Sequence, residues 1–203
     1  MVKAMLVHSV GLQITENEYL DAEQDAQVRH ELMDGYIYAM TGASDKHNKI
    51  TGNLFAELRN DLKHMNAPCT AYINDMKVKV QNNFYYPDVM VVCDNNDKES
   101  EFYKTKPTTI IEVLSPSTRS TRRIDKTIKR VTYQSLPTLQ EYVLIEQDKA
   151  EIEVFTRSSG WQAEYYYLGD SITFASIGVT VQVEDIYYQV NNDDDLAYVK
   201  PEN

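Results

Sequence analysis

A chain of 203 residues with 42% hydrophobic and 25% charged content can bury one continuous core and has the composition of a globular domain, which excludes disordered and fibrous classes. No apolar run reaches the ~20 residues that cross a bilayer, and Met1 to Gln13, with one lysine and no small-residue cleavage site, is a poor signal peptide; no membrane partner and a cytoplasmic location are expected. A formal net charge of −11 excludes a surface coated uniformly for nucleic acid, because phosphate binding rests on lysine and arginine.

Thr15-Glu16-Asn17-Glu18 has the form of a capping box, so a short acidic helix is predicted from Glu16 through Tyr19 and Leu20. His30-Glu31-Leu32-Met33, Asp34-Gly35 and Tyr36 to Met40 read as a hairpin, because Asp-Gly fits the two positive-φ positions of a type I′ turn. Glu31 then lies on a strand or just before one. Ile50, Leu54, Leu58 and Leu62 recur every fourth residue, which predicts an amphipathic helix over Asp45–His64 with Ser44 as its N-cap and His47 near its start.

Thr70–Ile73 and Met76–Val80 read as extended. Phe84 to Val92 reads as a strand-forming run with Pro87 at a strand opening, since proline has no N–H for a ladder. Asp94 to Pro107 is a polar loop, and Thr109 to Leu114 is a strand. Ile124, Ile128 and Val131 predict the apolar stripe of a second helix over Thr121–Ser135, with Asp125, Lys129 and Tyr133 sharing a face beside it. Glu141–Glu146, Glu151–Arg157, Trp161–Leu168 and Val179–Val183 are further predicted strands. The order implies an α/β domain with a mixed sheet, spanning 1–190, followed by an acidic C-terminal tail over 191–203. Cys69 and Cys93 lack metal-ligand spacing and are expected to be reduced core thiols.

Charge is segregated. Residues 16 to 34 carry seven acids against one arginine, whereas Arg119, Arg122, Arg123, Lys126, Lys129 and Arg130 crowd one segment with only Asp125 among them. Any basic surface is therefore local, and a solvated helix face explains the same residues.

Two acids stand out because they interrupt apolar strands: Asp88 before Val89-Met90-Val91-Val92, and Glu112 inside Ile110-Ile111-Glu112-Val113-Leu114. A buried carboxylate without a partner costs several kcal/mol, so such acids are paired, hydrogen-bonded or bound to metal. Two of them on neighbouring strands, with a lysine on the following helix, suit a shared Mg²⁺ or Mn²⁺, which prefer oxygen ligands. A salt bridge from Glu112 to Lys129 is the plainer alternative.

Tyr86-Pro87-Asp88-Val89-Met90-Val91, Ile111 to Thr118, Asp125-x-x-x-Lys129-x-x-x-Tyr133 and Leu139 to Ile145, with Glu31 to Gly35, Gly42 to Asn48 and Asp75 to Val78 upstream, resemble the Uma-two family of endonucleases. That family is a branch of the PD-(D/E)xK superfamily. The resemblance implies a restriction-endonuclease-like fold, a mixed β-sheet flanked by helices, and metal-dependent hydrolysis of DNA, with a homodimer a common arrangement. It implies Asp88, Glu112 and the Val113 carbonyl as metal ligands, Glu31 as an upstream acid, and Lys129, or else Lys126, as the site lysine. The superfamily lysine stands two residues after the second acid, where this chain has Leu114. A nuclease-fold binding module or partner subunit that no longer cuts is the competing expectation. Glycoside hydrolysis by a carboxylate pair has no other support in the sequence.

Overall fold

The computed structural model describes residues 13–40, 42–94, 96–98, 100–114 and 124–194. It begins with α1 (Glu16–Gln24), closed by the expected reciprocal cap: Thr15 Oγ1 accepts from the Glu18 N–H, and the Thr15 N–H donates to Glu18 Oε2 at 2.8 Å. Next come β1 (His30–Met33) and β2 (Tyr36–Ala39), joined by Asp34 and Gly35 at φ 51° and 83°, the torsions that a tight I′ connection requires. Helix α2 (Asp45–His64) is capped by Ser44, whose hydroxyl accepts from the His47 N–H, and it buries Ile50, Leu54, Leu58 and Leu62.

Beyond α2 the chain forms β3 (Thr70–Ile73), β4 (Lys77–Val80), β5 (Asn83–Tyr85), β6 (Val89–Val92), β7 (Tyr103–Lys104) and β8 (Thr109–Leu114). A π-type turn (Ile124–Lys129) runs into α3 (Arg130–Gln134). It is followed by β9 (Glu141–Glu146), β10 (Glu151–Thr156), β11 (Ala163–Tyr167), β12 (Ser171–Phe174), β13 (Val179–Gln182) and α4 (Val183–Ile186). The main sheet has six strands in the order β11-β10-β9-β8-β6-β3, and a second has five in the order β2-β1-β5-β4-β7. Within the main sheet β8 and β9 pair parallel and the other pairs are antiparallel. This is the mixed α/β architecture expected from the sequence.

Strand β8 shows how the layers form. Its pleat sends Ile111 and Val113 to one face, where they pack with Ile50, Leu54 and Leu58 of α2 and with Ile172 and Val181 of the β12–β13 hairpin. Ile110 and Leu114 face the other way, toward Tyr133 of α3 and Val78, Val80 and Tyr85 of the second sheet. Glu112 lies on this second face by the same alternation.

Several expectations are corrected. Phe84 to Val92 is not one strand: β5 belongs to the five-stranded sheet and β6 to the six-stranded one, with Tyr86-Pro87-Asp88 crossing between them. The loop from Asp94 to Pro107 contains β7, which pairs parallel with β4. Ile128 and Val131 are exposed, at 48% and 61%, while Lys129 and Tyr133 are buried. The wide turn ahead of α3 breaks the 3.6-residue spacing on which the apolar stripe was read, and acids beneath the helix draw in the lysine instead. The part of this segment before Ile124, with Ser115 to Thr118, Arg119, Arg122 and Arg123, lies outside the described residues, as does the end of the acidic tail beyond Asp194. Strand β12 and helix α4 were not anticipated.

Cys69 and Cys93 are not reduced thiols but a disulfide, with Cα atoms 4.0 Å apart. The β3–β6 register ends at Thr70↔Val92, and one further step sets the two cysteines opposite each other. Among the described residues no helix is long and apolar enough to cross a membrane. Replacing both cysteines by serine should lower the unfolding free energy by about 3 kcal/mol, the loop-closure entropy of a ring this long. Denaturant midpoints in oxidising buffer measure the loss, and dithiothreitol should bring wild type down to the variant.

Candidate active site

The site begins where β6 ends its pairing with β8. That ladder runs from Val91↔Thr109 to Val89↔Ile111, so the next step sets Asp88 across from Glu112 and the one after sets Pro87 across from Val113. The N–H and C=O of a strand residue point to the same side, and Val113 points toward β6. Pro87 has no N–H to offer the Val113 carbonyl, and the Val113 N–H is taken by a side chain, donating to Asp88 Oδ2 at 2.7 Å. The carboxylate thus takes the acceptor place that a backbone carbonyl of β6 would hold. Its other oxygen, Oδ1, lies 3.1 Å from Nε2 of His47 on α2, and the Asp88 carbonyl accepts from the Asn74 N–H at 3.0 Å.

Glu112 projects from β8 beneath α3. Its Oε1 accepts from Tyr133 Oη at 3.1 Å and from Lys129 Nζ at 3.4 Å. Lys129 Nζ also lies 2.9 Å from Glu31 Oε1, so one buried ammonium is shared between two buried carboxylates. Glu31 Oε1 in turn accepts from the backbone N–H of Tyr86 at 3.0 Å, which ties β1 to the crossing that presents Asp88. Tyr85 completes the wall: its ring lies 5.8 Å from Lys129 Nζ and 5.2 Å from the Tyr133 ring. Burial, followed by the charges of Glu112 and Glu31, raises the Tyr133 pKa well above the ordinary phenol range. The hydroxyl therefore keeps its proton and remains a donor to Glu112.

The structure accordingly gathers Glu31, Glu112, Lys129 and Tyr133 around one charge centre, with Asp88 and the Val113 backbone beside it on adjoining strand ends. Lys126, the second lysine considered from the sequence, points elsewhere. It pairs with Glu153 and lies 3.4 Å from Glu146. Burial lowers its pKa, but the hydrogen bond to Glu153 and the charges of Glu153 and Glu146 outweigh burial and raise it. Glu146, Glu151 and Glu153, whose ligand atoms lie within 4.8 Å of one another, form the acidic group that could hold an ion among the described residues; Lys126 already occupies its neighbourhood.

A family model described as "Putative restriction endonuclease" matches residues 16–183. The chain belongs to the Uma2 family. Two relatives from Synechocystis sp. (strain ATCC 27184 / PCC 6803 / Kazusa) are similar: "Uncharacterized protein slr1290", 33% identical over 190 residues and covering 90% of this chain and 97% of the relative, and "Uncharacterized protein sll1609", 32% identical over 157 residues and covering 75% and 86%. A crystal structure described as a putative nuclease belonging to DUF820, from Anabaena variabilis ATCC 29413, shares the fold with a TM-score of 0.70 at 18% identity, over 86% of this chain and 97% of the other.

Sequence reasoning placed His47 near the start of α2 and did not assign it to the site of this Uma2 protein. The cap is Ser44, and the His47 ring turns toward Asp88 instead. Tyr85 went unremarked, although an aromatic two residues before Pro87 lies on the strand that feeds the crossing. Tyr133 was placed on the Lys129 face by its spacing, but the acid beneath it comes from β8 and needed the fold. Lys129→Met should lower stability by about 3 kcal/mol, the order expected when a buried acid loses its cation. Urea unfolding curves measure this, and Ile128→Ala on the exposed side of the same turn should change the unfolding free energy by no more than about 0.5 kcal/mol.

Proposed function

We propose that this Uma2 protein is a metal-dependent endonuclease that hydrolyses DNA phosphodiester bonds. The observation that supports the reading is the β6–β8 register, whose continuation past Val89↔Ile111 sets Asp88 opposite Glu112, with the buried Lys129 ammonium against Glu112. The donor set fits a hard divalent cation. It consists of carboxylate and carbonyl oxygens, and Pro87 removes the donor that would otherwise occupy the Val113 carbonyl. Asp88, Glu112 and that carbonyl are assigned as the protein's ligands to Mg²⁺ or Mn²⁺.

When bound, such an ion lowers the pKa of water and offsets charge gathering on the phosphoryl oxygens. The chain's own residues do the rest. Lys129 orients the attacking water and stabilises the added negative charge, held in place by Glu31 and Glu112. Tyr133 fixes the Glu112 carboxylate by donating to Oε1, and the Asp88 carboxylate is held through Oδ2 by the Val113 N–H. Water oxygen adds to phosphorus as the bond to the leaving sugar oxygen breaks; the attacking water gives up one proton to solvent and the leaving oxygen takes one from solvent, so the products are a phosphomonoester and a hydroxyl.

The competing reading, a nuclease fold that binds without cutting, draws on Leu114 at the superfamily lysine position and on the net charge of −11. Two measurements decide. Mn²⁺ at a hundred times its dissociation constant should stabilise wild type by about 2.7 kcal/mol, seen as a rise in melting temperature that Asp88→Ala lacks; an equal rise in both proteins removes the site. Plasmid and single-stranded DNA incubated with Mg²⁺ or Mn²⁺ should be cut by wild type and at least ~100-fold more slowly by Glu112→Ala. Equal rates would refute the enzyme.

A further inference from the structure

We infer that His47 is a positioning residue for the Asp88 carboxylate, an inference that rests on the metal-site reading above. Asp88 is held from two layers at once. On the strand side the Val113 N–H fixes Oδ2 at 2.7 Å; on the helix side His47 Nε2 stands 3.1 Å from Oδ1. Both side chains are mostly buried, at 13% exposure for His47 and 15% for Asp88, so water has little room to compete for either oxygen. A carboxylate touched at one oxygen alone can swing about its Cβ–Cγ bond. Touched at both, it keeps one plane, and each oxygen retains a lone pair that neither contact uses.

The helix also supplies a partner for the other ring nitrogen. His47 Nδ1 lies 3.4 Å from Thr51 Oγ1, one turn further along α2. Thr51 is buried, at 2% exposure, and among the described residues its hydroxyl has this ring nitrogen as its side-chain partner. A carboxylate oxygen offers lone pairs only, so the contact to Asp88 Oδ1 is a hydrogen bond when Nε2 carries the N–H, and with that proton on Nε2 the neutral ring leaves Nδ1 to accept from the Thr51 hydroxyl. The ring is anchored because Ser44 caps α2 by accepting from the His47 N–H at 3.1 Å, and α2 is packed along its length against the sheet that carries Asp88. Partners of this kind set ligand orientation, and their removal typically weakens metal binding 10- to 100-fold.

The test uses the full chain and Mn²⁺ alone, with free Mn²⁺ followed by its electron paramagnetic resonance signal, and needs no nucleic acid. His47→Gln keeps an amide N–H at about the reach of Nε2; His47→Asn is polar too but falls short. Wild type should bind Mn²⁺, His47→Gln should bind within about threefold of it, and His47→Asn should bind at least ~10-fold more weakly, although the metal-free melting temperatures of the two variants match. A purely structural tie between α2 and the Asp88 strand end would move the metal-free melting temperatures and leave Mn²⁺ affinity alone. His47→Asn binding as tightly as wild type, or His47→Gln losing as much as His47→Asn, would overturn the assignment while leaving the metal site standing. A folded wild type that binds no Mn²⁺ would overturn both.

Discussion

The buried ammonium of Lys129, shared by Glu31 and Glu112, is the interaction on which the rest of this molecule depends. Each carboxylate comes from a different sheet, β1 of the smaller and β8 of the larger, and the lysine comes from the helical segment that covers the second. Left without a cation, either acid would be expensive beneath Tyr85, Tyr133 and Leu144. With it, three elements that share no ladder are joined at one point. Tyr133 reinforces the junction, donating to Glu112 and meeting the Tyr85 ring edge to face.

A second constraint places Asp88. The chain has to leave one sheet and enter the other, and Pro87 makes that crossing without spending a ladder N–H. The consequence is a gap at the end of the β6–β8 pairing, into which a side-chain carboxylate fits where a backbone carbonyl would normally sit. The Uma2 chain thus places an acid at a strand end by interrupting its own sheet. The β3–β6 pair on the outer side is fastened at one end by the Cys69–Cys93 bond and at the other by the Asn74 N–H on the Asp88 carbonyl, so the edge beside the site is closed at both ends.

Polarity is distributed unevenly between the two faces of the main sheet. The face under α2 is mostly apolar, with Ile50, Leu54, Leu58, Val89, Ile111 and Val143 in one cluster, and its buried acid, Glu141, is satisfied by the hydroxyls of Thr109 and Ser176 rather than by a cation. The opposite face carries Glu112 among Met90, Ile110 and Leu144 and meets it with a lysine and a tyrosine. That difference accounts for the inverted second helix, where Ile128 and Val131 turn outward. Burying two aliphatic side chains is worth roughly 3–6 kcal/mol together, comparable with the about 3–5 kcal/mol lost when one buried ion pair is broken, and turning Lys129 outward would break two such pairs, to Glu31 and to Glu112.

Local chemistry was legible in the sequence wherever a few neighbouring residues decide the outcome. The Thr15 cap, the Asp34-Gly35 turn, the bounds of Asp45–His64 and strands β9, β10, β11 and β13 follow from spacing, capping and turn torsions, and the acid inside Ile110 to Leu114 stood out because a buried carboxylate needs a partner. What only the tertiary structure decided involves residues brought together from afar. Cys69 meets Cys93 through strand register, His47 reaches Asp88 because the first turn of α2 packs beside the start of β6, Glu31 meets Lys129 across two sheets, and Phe84 to Val92 divides between sheets although its composition is continuous. Periodicity records which side of an element is apolar, but it carries no record of what that side will face. Where the facing surface holds a charge, the pattern and the burial part company.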